Sequence, residues 1–383
     1  MPALVIISIF TSFLTVFLLN FRKAIAYYDD EPPVIENLQG NPPLVSIIVP
    51  MRNEEKNARR CIESLISQCY PNLEIIAVDD RSRDNTLNIL KELASRYNNL
   101  RVIEGNPVPK GWVGKNYALW QGVKQSKGDW LLFIDADTVS EPYMLTSVMR
   151  YVDENNIDML SISPFQILET FWERVIQPVV LSSIYYTFPY GRVNDPRSKI
   201  AAANGQFILI RRSVYEAIGG HPAVKNSIVE DVALANLVKG LGYRLHFVKG
   251  RRLIKTRMYT NFSEIWEGWT KNLFFELGRK WSQVIFSLFI LLACGFIAPV
   301  LFTWSFVNVL FLGSRTLHSL LILAESAFLL ALIIYNSWWQ ALKLFAIPRY
   351  YSFTVPMGIL IYIALIVSST YKVVSGKGVI WKA

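Results

Sequence analysis

Three places in this chain set carboxylates at the end of an apolar run. Asp79 and Asp80 follow residues 73–78, Asp135-Ala136-Asp137 follow residues 130–134, and Pro50-Met51-Arg52-Asn53-Glu54 closes residues 44–50. Side chains two apart on an extended backbone point the same way, so Asp135 and Asp137 share a face. Carboxylates grouped like this repel one another and need a cation or donors. Their hard oxygens suit Mg²⁺ or Mn²⁺ held jointly by protein and phosphates. Capping a turn accounts for any one of these aspartates. Their recurrence at successive strand ends points to a site. Glu230-Asp231 adds an acid pair from a separate segment.

Other chemistries lack their residues. Cys61, Cys69 and Cys294 form no CxxC pair, and His221, His246 and His318 are scattered, so neither a disulfide framework nor a zinc site is expected. No Ser, Cys or Lys arrangement offers a covalent nucleophile.

The elements that must position the acids alternate. Strands are expected at residues 44–50, 73–78, 100–103 and 130–134, and helices at 53–67, 84–97 and 115–125, with Asp84 as a helix N-cap. This order implies an α/β domain with a mostly parallel sheet covered on both faces. Strands buried on both sides read as continuous apolar runs, so the run before Asp135 needs no functional account. Ligands of such sheets bind beyond the carboxyl ends of the strands, where these acids lie.

The whole chain is too apolar for an ordinary soluble enzyme: 383 residues, 52% of them hydrophobic, with a mean hydropathy of +0.28. Residues 1–20 and 282–371 hold most of that apolarity. The net charge of +9 fits Lys and Arg gathered beside membrane spans better than nucleic-acid binding. Residues 3–19 read as an uncleaved anchor, because Arg22 and Lys23 follow the apolar run and favour a cytoplasmic side for what comes next. Further spans are expected at residues 284–304, kinked at Pro299, and at 317–335 and 355–371. Lys343 and Arg349 suggest a cytoplasmic loop. Lys372, Lys377 and Lys382 would then face outward against the rule, which leaves the topology of this end open.

The quoted stretches together resemble glycosyltransferase family 2. They are VSIIVPMRNEE (45–55), IIAVDDRSRDNT (75–86), GWVGKNYALWQG (111–122), GDWLLFIDADT (128–138), NGQFILIRR (204–212) and IVEDVALA (228–235). They stand in the family's order. The resemblance implies the GT-A fold, a Rossmann-like nucleotide-sugar-binding domain. It implies that Pro50, Arg52 and Glu54 lie against nucleobase and ribose, that Asp79 or Asp80 binds the same part, and that Lys115 lies near the base or diphosphate. It also implies that Asp135 and Asp137 form the DxD motif, Asp137 holding the metal, and that Asp231 is the catalytic base. The chemistry agrees: a metal neutralises the leaving diphosphate, and a carboxylate takes the proton of the acceptor hydroxyl. Trp112, Gln206, Glu230, His221 and Arg257 are candidates for contact with acceptor or phosphate. For Trp112 and His221, plain packing is the competing reading.

Residues 256–272, TRMYTNFSEIWEGWTKN, and 376–382, GKGVIWK, resemble a membrane-bound branch that includes hopanoid-associated and carotenoid-type glycosyltransferases. Residues 249–257 read as a basic, solvated face or a contact with anionic head groups. Aromatic residues on one stripe of 262–281 read as an interfacial amphipathic helix. The Q-x-x-R-W motif of processive synthases is broken here, as Glu276-Leu277-Gly278-Arg279-Lys280-Trp281.

The expected organisation is an N-terminal anchor (1–22), a GT-A domain (44–255), an interfacial helix (256–281) and a C-terminal transmembrane region (282–383). The expected activity is transfer of a sugar from a UDP- or GDP-sugar to a lipid-like membrane acceptor with inversion, using Mg²⁺ or Mn²⁺ and no nucleic acid. A processive polysaccharide synthase and a catalytically inactive membrane scaffold are the alternatives.

Overall fold

The computed structural model describes residues 2–26, 31–36, 40–276, 281–311 and 316–375. These fall into two compact units. One takes the described residues of 28–167 and 188–258, and the other those of 1–27, 168–187 and 259–379.

The first unit is built on an eight-stranded mixed sheet. Its strands are β1 (Val45–Met51), β2 (Leu73–Asp79), β3 (Leu100–Glu104), β4 (Trp130–Ile134), β5 (Thr138–Ser140), β6 (Met159–Gln166), β7 (Phe207–Arg211) and β8 (Leu245–Thr256), in the spatial order β3-β2-β1-β4-β7-β6-β8-β5. β3, β2, β1 and β4 run parallel. β7 is antiparallel to both β4 and β6, and β6 is parallel to β8. Every residue of β1 and β4 is buried, as expected of strands covered on both faces. The register pairs Met51 with Asp79 and Ile134 with Phe207. The carboxyl ends of β1, β2 and β4 therefore share an edge with the start of β7. That reversal brings Asn204-Gly205-Gln206 level with Asp135.

Two helices differ from their expected bounds. The first begins at Ala58 rather than Asn53. Asn53 is left-handed, with φ 53°, and Asn57 and Ala58 donate backbone bonds to the Glu54 carbonyl, so residues 53–57 form a turn before the helix. The next spans Thr86–Ala94. Asn85, not the expected Asp84, occupies its cap position, although Asp84 Oδ1 accepts from the Thr86 N–H at 3.0 Å. Residues 249–256 are a solvated face only in part, Arg252 being exposed. They belong to β8, where Leu253 and Ile254 are fully buried and Lys249 nearly so. The basic residues hid a strand whose burial does not alternate, Phe247, Val248, Lys249 and Gly250 being buried in succession.

In the second unit, Leu4–Ala24, Trp281–Leu310, Leu317–Lys343 and Arg349–Val374 are long and apolar enough to cross a membrane. A π-helical turn, Ala293–Ile297, precedes Pro299 and interrupts the second of these. Such a turn commonly accompanies a bend. The helix Phe262–Glu276 buries Ile265, Trp269, Leu273 and Phe274 in a cluster with Val175, Ile176, Val180 and Tyr362. The Trp269 indole N–H donates to Gln177 at 2.8 Å. Ser8 and Thr11 donate to the two oxygens of Glu325 at 2.8 and 3.1 Å. Residues 277–280 of the broken Q-x-x-R-W stretch and the tail 376–383, with Lys377 and Lys382, lie outside the described residues.

Candidate active site

At the ends of β1 and β2, Asp80 is fully buried and held by two guanidinium groups. Arg81 Nε lies 3.1 Å from Oδ1 and Arg52 Nη1 lies 3.5 Å from Oδ2. Burial raises the Asp80 carboxyl above its usual range, and the two arginines oppose that shift. Asp79 Oδ2 accepts from the Ser82 N–H at 3.1 Å, and its Oδ1 is buried with no partner among the described residues. Pro50 is buried one residue before the end of β1, and Glu54 Oε2 accepts from Asn57 Nδ2 at 2.8 Å. Gly105 closes this edge: a Cβ there would come within 2.9 Å of the Asp79 carbonyl.

Lys115, in the first turn of the helix Gly114–Gln125, joins two sides of the site. Its Nζ lies 2.8 Å from Asp135 Oδ1 and 2.9 Å from Glu230 Oε1. Burial works against the Lys115 charge, but the Asp135 and Glu230 carboxylates outweigh it and hold the ammonium well above its usual range. Burial pushes the Asp135 carboxyl up to about 7, against the pull of Lys115. The next acid, Asp231, opens the helix Glu230–Gly240. Its Oδ2 accepts from the Gly205 N–H at 2.9 Å and its Oδ1 from the Val232 N–H at 2.8 Å. Burial, with Glu230 beside it, pushes the Asp231 carboxyl up to about 6. A buried carboxyl near that value can accept a proton at neutral pH.

Gly205 sits over this junction. A Cβ at that position would come 2.9 Å from Lys115 Nζ, 3.3 Å from Glu230 Oε1 and 3.5 Å from Asp231 Oδ2. The backbone approaches the charged groups this closely because no side chain intervenes.

Asp137 has a different environment. Its Oδ2 accepts from Gln206 Nε2 at 3.1 Å, and the same Gln206 nitrogen donates to Thr256 Oγ1 at 3.1 Å. Asp137 Oδ1 is buried with no hydrogen-bond partner among the described residues. Burial and the nearby Glu54 raise its carboxyl above the ordinary range. An orphaned carboxylate oxygen on a hard-ligand pair fits a divalent cation. Among the described residues no group of three or more His, Cys, Asp or Glu is arranged to hold a metal.

The remaining candidates separate. Gln206 bonds Asp137 directly, and Glu230 pairs with Lys115. Arg257 follows Thr256 at the end of β8. His221 is 1% exposed, bonded through Nδ1 to the Tyr215 hydroxyl at 2.8 Å, and burial pushes its imidazole down to about 4. Trp112 packs on Tyr117 and Trp120, with ring centroids 5.4 and 5.2 Å away. The sequence reading missed Asn116 and Arg81. Asn116 is fully buried, and its amide donates to the carbonyls of Val224, Lys225 and Ser227 at 2.9, 3.3 and 2.9 Å. Its only sequence signal was its place beside Lys115.

The family model described as Glycosyl transferase family 2 matches residues 46–219. The chain is 28% identical over 274 residues to 4,4'-diaponeurosporenoate glycosyltransferase of Staphylococcus aureus (strain USA300), a match covering 70% of each protein. The protein of the same name from Staphylococcus haemolyticus (strain JCSC1435) is 28% identical over 233 residues, 60% of each. Among solved structures, the mannosyltransferase PcManGT from Pyrobaculum calidifontis, in complex with GDP-Man and Mn²⁺, aligns with a TM-score of 0.57. That alignment covers 97% of this chain and 100% of PcManGT at 16% identity, a likeness of fold.

Proposed function

We propose that this chain, a glycosyltransferase whose residues 46–219 match the family 2 model, moves one sugar from a UDP- or GDP-sugar to a lipid-like acceptor with inversion. The observation that carries this reading is the Lys115 bridge. It joins Asp135, beside the orphaned Asp137 oxygen, to Glu230, beside Asp231. A site for a leaving anion and a proton acceptor are thereby held in one network.

The residues divide the work. Arg52, Glu54, Asp79 and Asp80 receive the nucleoside, with Pro50 shaping the strand end. Asp137, with Asp135, would hold Mg²⁺ or Mn²⁺, which neutralises charge on the leaving diphosphate when bound. Lys115 keeps Asp135 oriented and adds positive charge on the diphosphate side. Gln206 fixes the Asp137 carboxylate. Asp231, oriented by two backbone N–H groups, takes the proton of the acceptor hydroxyl. A base on a segment separate from the metal pair is what single-displacement inversion needs. Trp112 and Arg257 are the candidates for acceptor contact. The apolar helices and the carotenoid-type relatives favour an acceptor that partitions into the bilayer. Arg22 and Lys23 after the first apolar helix favour a cytoplasmic catalytic unit.

The test incubates purified protein with membrane lipid extract and a panel of labelled nucleotide sugars, followed by mass and anomeric assignment of the product. A lipid glycoside of inverted anomeric configuration is expected. Asp231→Asn should lower turnover about a thousandfold while donor binding survives. Asp137→Asn should weaken donor binding only when the metal is supplied. A retained anomer, full turnover by Asp231→Asn, or undiminished activity in chelator would overturn the corresponding part of the reading.

A further inference from the structure

We propose that Arg81 is a donor-binding residue whose guanidinium fork takes an oxygen acceptor of the nucleoside diphosphate. The inference rests on the nucleotide-sugar reading and adds a contact that the acidic motifs do not supply.

The backbone provides the first observation. Arg81 has φ 57°, in the left-handed region. Side chains other than Asn, Asp and Gly rarely settle there, because Cβ crowds the carbonyl oxygen. Asn53, across from it at the end of β1, also has positive φ, but asparagine tolerates this conformation. Ties hold the turn around Arg81 in place. Asn53 N–H donates to Ser82 Oγ at 3.0 Å, Arg83 N–H donates to Asn53 Oδ1 at 2.9 Å, and Ser82 N–H donates to Asp79 Oδ2. A glycine would fit this turn without strain. The presence of arginine therefore asks for a use of its side chain.

The side chain provides the second observation. Arg81 Nε donates to the buried Asp80 carboxylate at 3.1 Å. Neither Nη makes a hydrogen bond among the described residues, and the side chain is 40% exposed. One end of the guanidinium is thus anchored on a rigid carboxylate, and the two-pronged end is open to solvent. A planar fork fixed this way is suited to a bidentate oxygen acceptor. Its place completes the argument. Arg81 lies at the carboxyl end of β2, one residue from Asp80, on the edge where open α/β sheets take ligands. The acceptor is either a base carbonyl or a diphosphate oxygen, and probes carrying one or the other tell them apart.

The experiment titrates the full-length protein in detergent with UDP and GDP in the presence of Mn²⁺, comparing wild type with Arg81→Gly and Arg81→Ala. Melting temperatures are recorded alongside. Glycine should melt no lower than wild type, and alanine should melt below glycine, since alanine keeps the strain and loses the ion pair. Both should bind the preferred nucleotide about tenfold more weakly. Uridine or guanosine without phosphate, and inorganic pyrophosphate with Mn²⁺, then locate the lost contact on the base or on the diphosphate. Binding by Arg81→Gly within about twofold of wild type would overturn the assignment. A loss confined to alanine would also overturn it, because backbone distortion would then be the cause. Failure of the wild type to bind either nucleotide would overturn the nucleotide-sugar reading, and Arg81's role with it.

Discussion

Gly205 puts a backbone N–H on Asp231 and leaves room for Lys115 beside it. Lysine tips usually move out of the way cheaply, but this one is pinned between Asp135 and Glu230. Gly205→Ala should therefore displace the ammonium rather than unfold the chain. A fall in kcat/KM of about a hundredfold is expected from a sub-ångström misplacement of this kind, with a melting temperature close to wild type. Melting that drops along with activity would show the glycine to be needed for folding instead. A second prediction concerns charge. Asp231 must be ionised to accept a proton, and its carboxyl is raised to about 6 by burial and then by Glu230. Activity should thus fall as pH drops through that value. Glu230→Gln removes a charge that raises Asp231 and leaves Lys115, which lowers it, so the acidic limb of kcat/KM should move to lower pH. A limb that stays put would place the titrating base elsewhere. Asp79, Asp80, Asp135 and Asp137 were legible because they follow apolar runs whose length marks a strand end, whereas Asp231 opens a helix and was marked by the family resemblance. The Lys115–Glu230 pair was not, because nothing local relates positions so far apart in the chain. Nor was Arg81, because arginine gives no sign of a left-handed backbone.

Among the elements, the helix Gly114–Gln125 does more than carry Lys115. Its Asn116 and the Val113 N–H fasten the segment 224–227, which leads into the helix bearing Glu230 and Asp231. Both charged segments are thus located from one helix start. Asn116→Asp keeps the shape but replaces a donor facing three carbonyls with an acceptor. It should destabilise the catalytic unit by about 3 kcal/mol, read as a lower denaturation midpoint, and reduce kcat more than it raises the donor KM. Asn116→Asp with wild-type kcat and stability would show that the segment is held by other means. The strands β1, β2 and β4 were plain in the sequence, being short apolar runs bounded by turn residues. β8 was obscured because Lys249, Arg251 and Arg252 separate its apolar residues Phe247 and Val248 from Leu253 and Ile254. The turn at residues 53–57 was hidden for another reason: Glu54-Glu55-Lys56 are good helix formers, and the left-handed Asn53 and the strand-end bonds override that propensity.

At the scale of the molecule, the second unit contains a carboxylate among its apolar helices. Glu325 receives hydrogen bonds from Ser8 and Thr11, so the first helix is tied to Leu317–Lys343 by polar contacts as well as by packing. Glu325→Gln keeps oxygen for one of these hydroxyls, and Glu325→Leu keeps none. The leucine variant should lose about 1 kcal/mol in detergent, and the glutamine variant less. Equal melting of all three proteins would show that the hydroxyls contribute nothing to docking the first helix.

The helix Phe171–Thr187 lies between β6 and β7 in the chain, yet it is assigned to the unit that holds residues 259–379. Its apolar residues Ile176, Val180 and Leu181 are buried among side chains from that later stretch. Synthesis runs from the amino terminus, so this helix leaves the ribosome before its cover exists. Until then it is a bare hydrophobic segment that separates β6 from β7 in the chain, which is the kind of intermediate that chaperones or the nascent bilayer must shelter. A soluble fragment cut at residue 258 would keep that problem permanently.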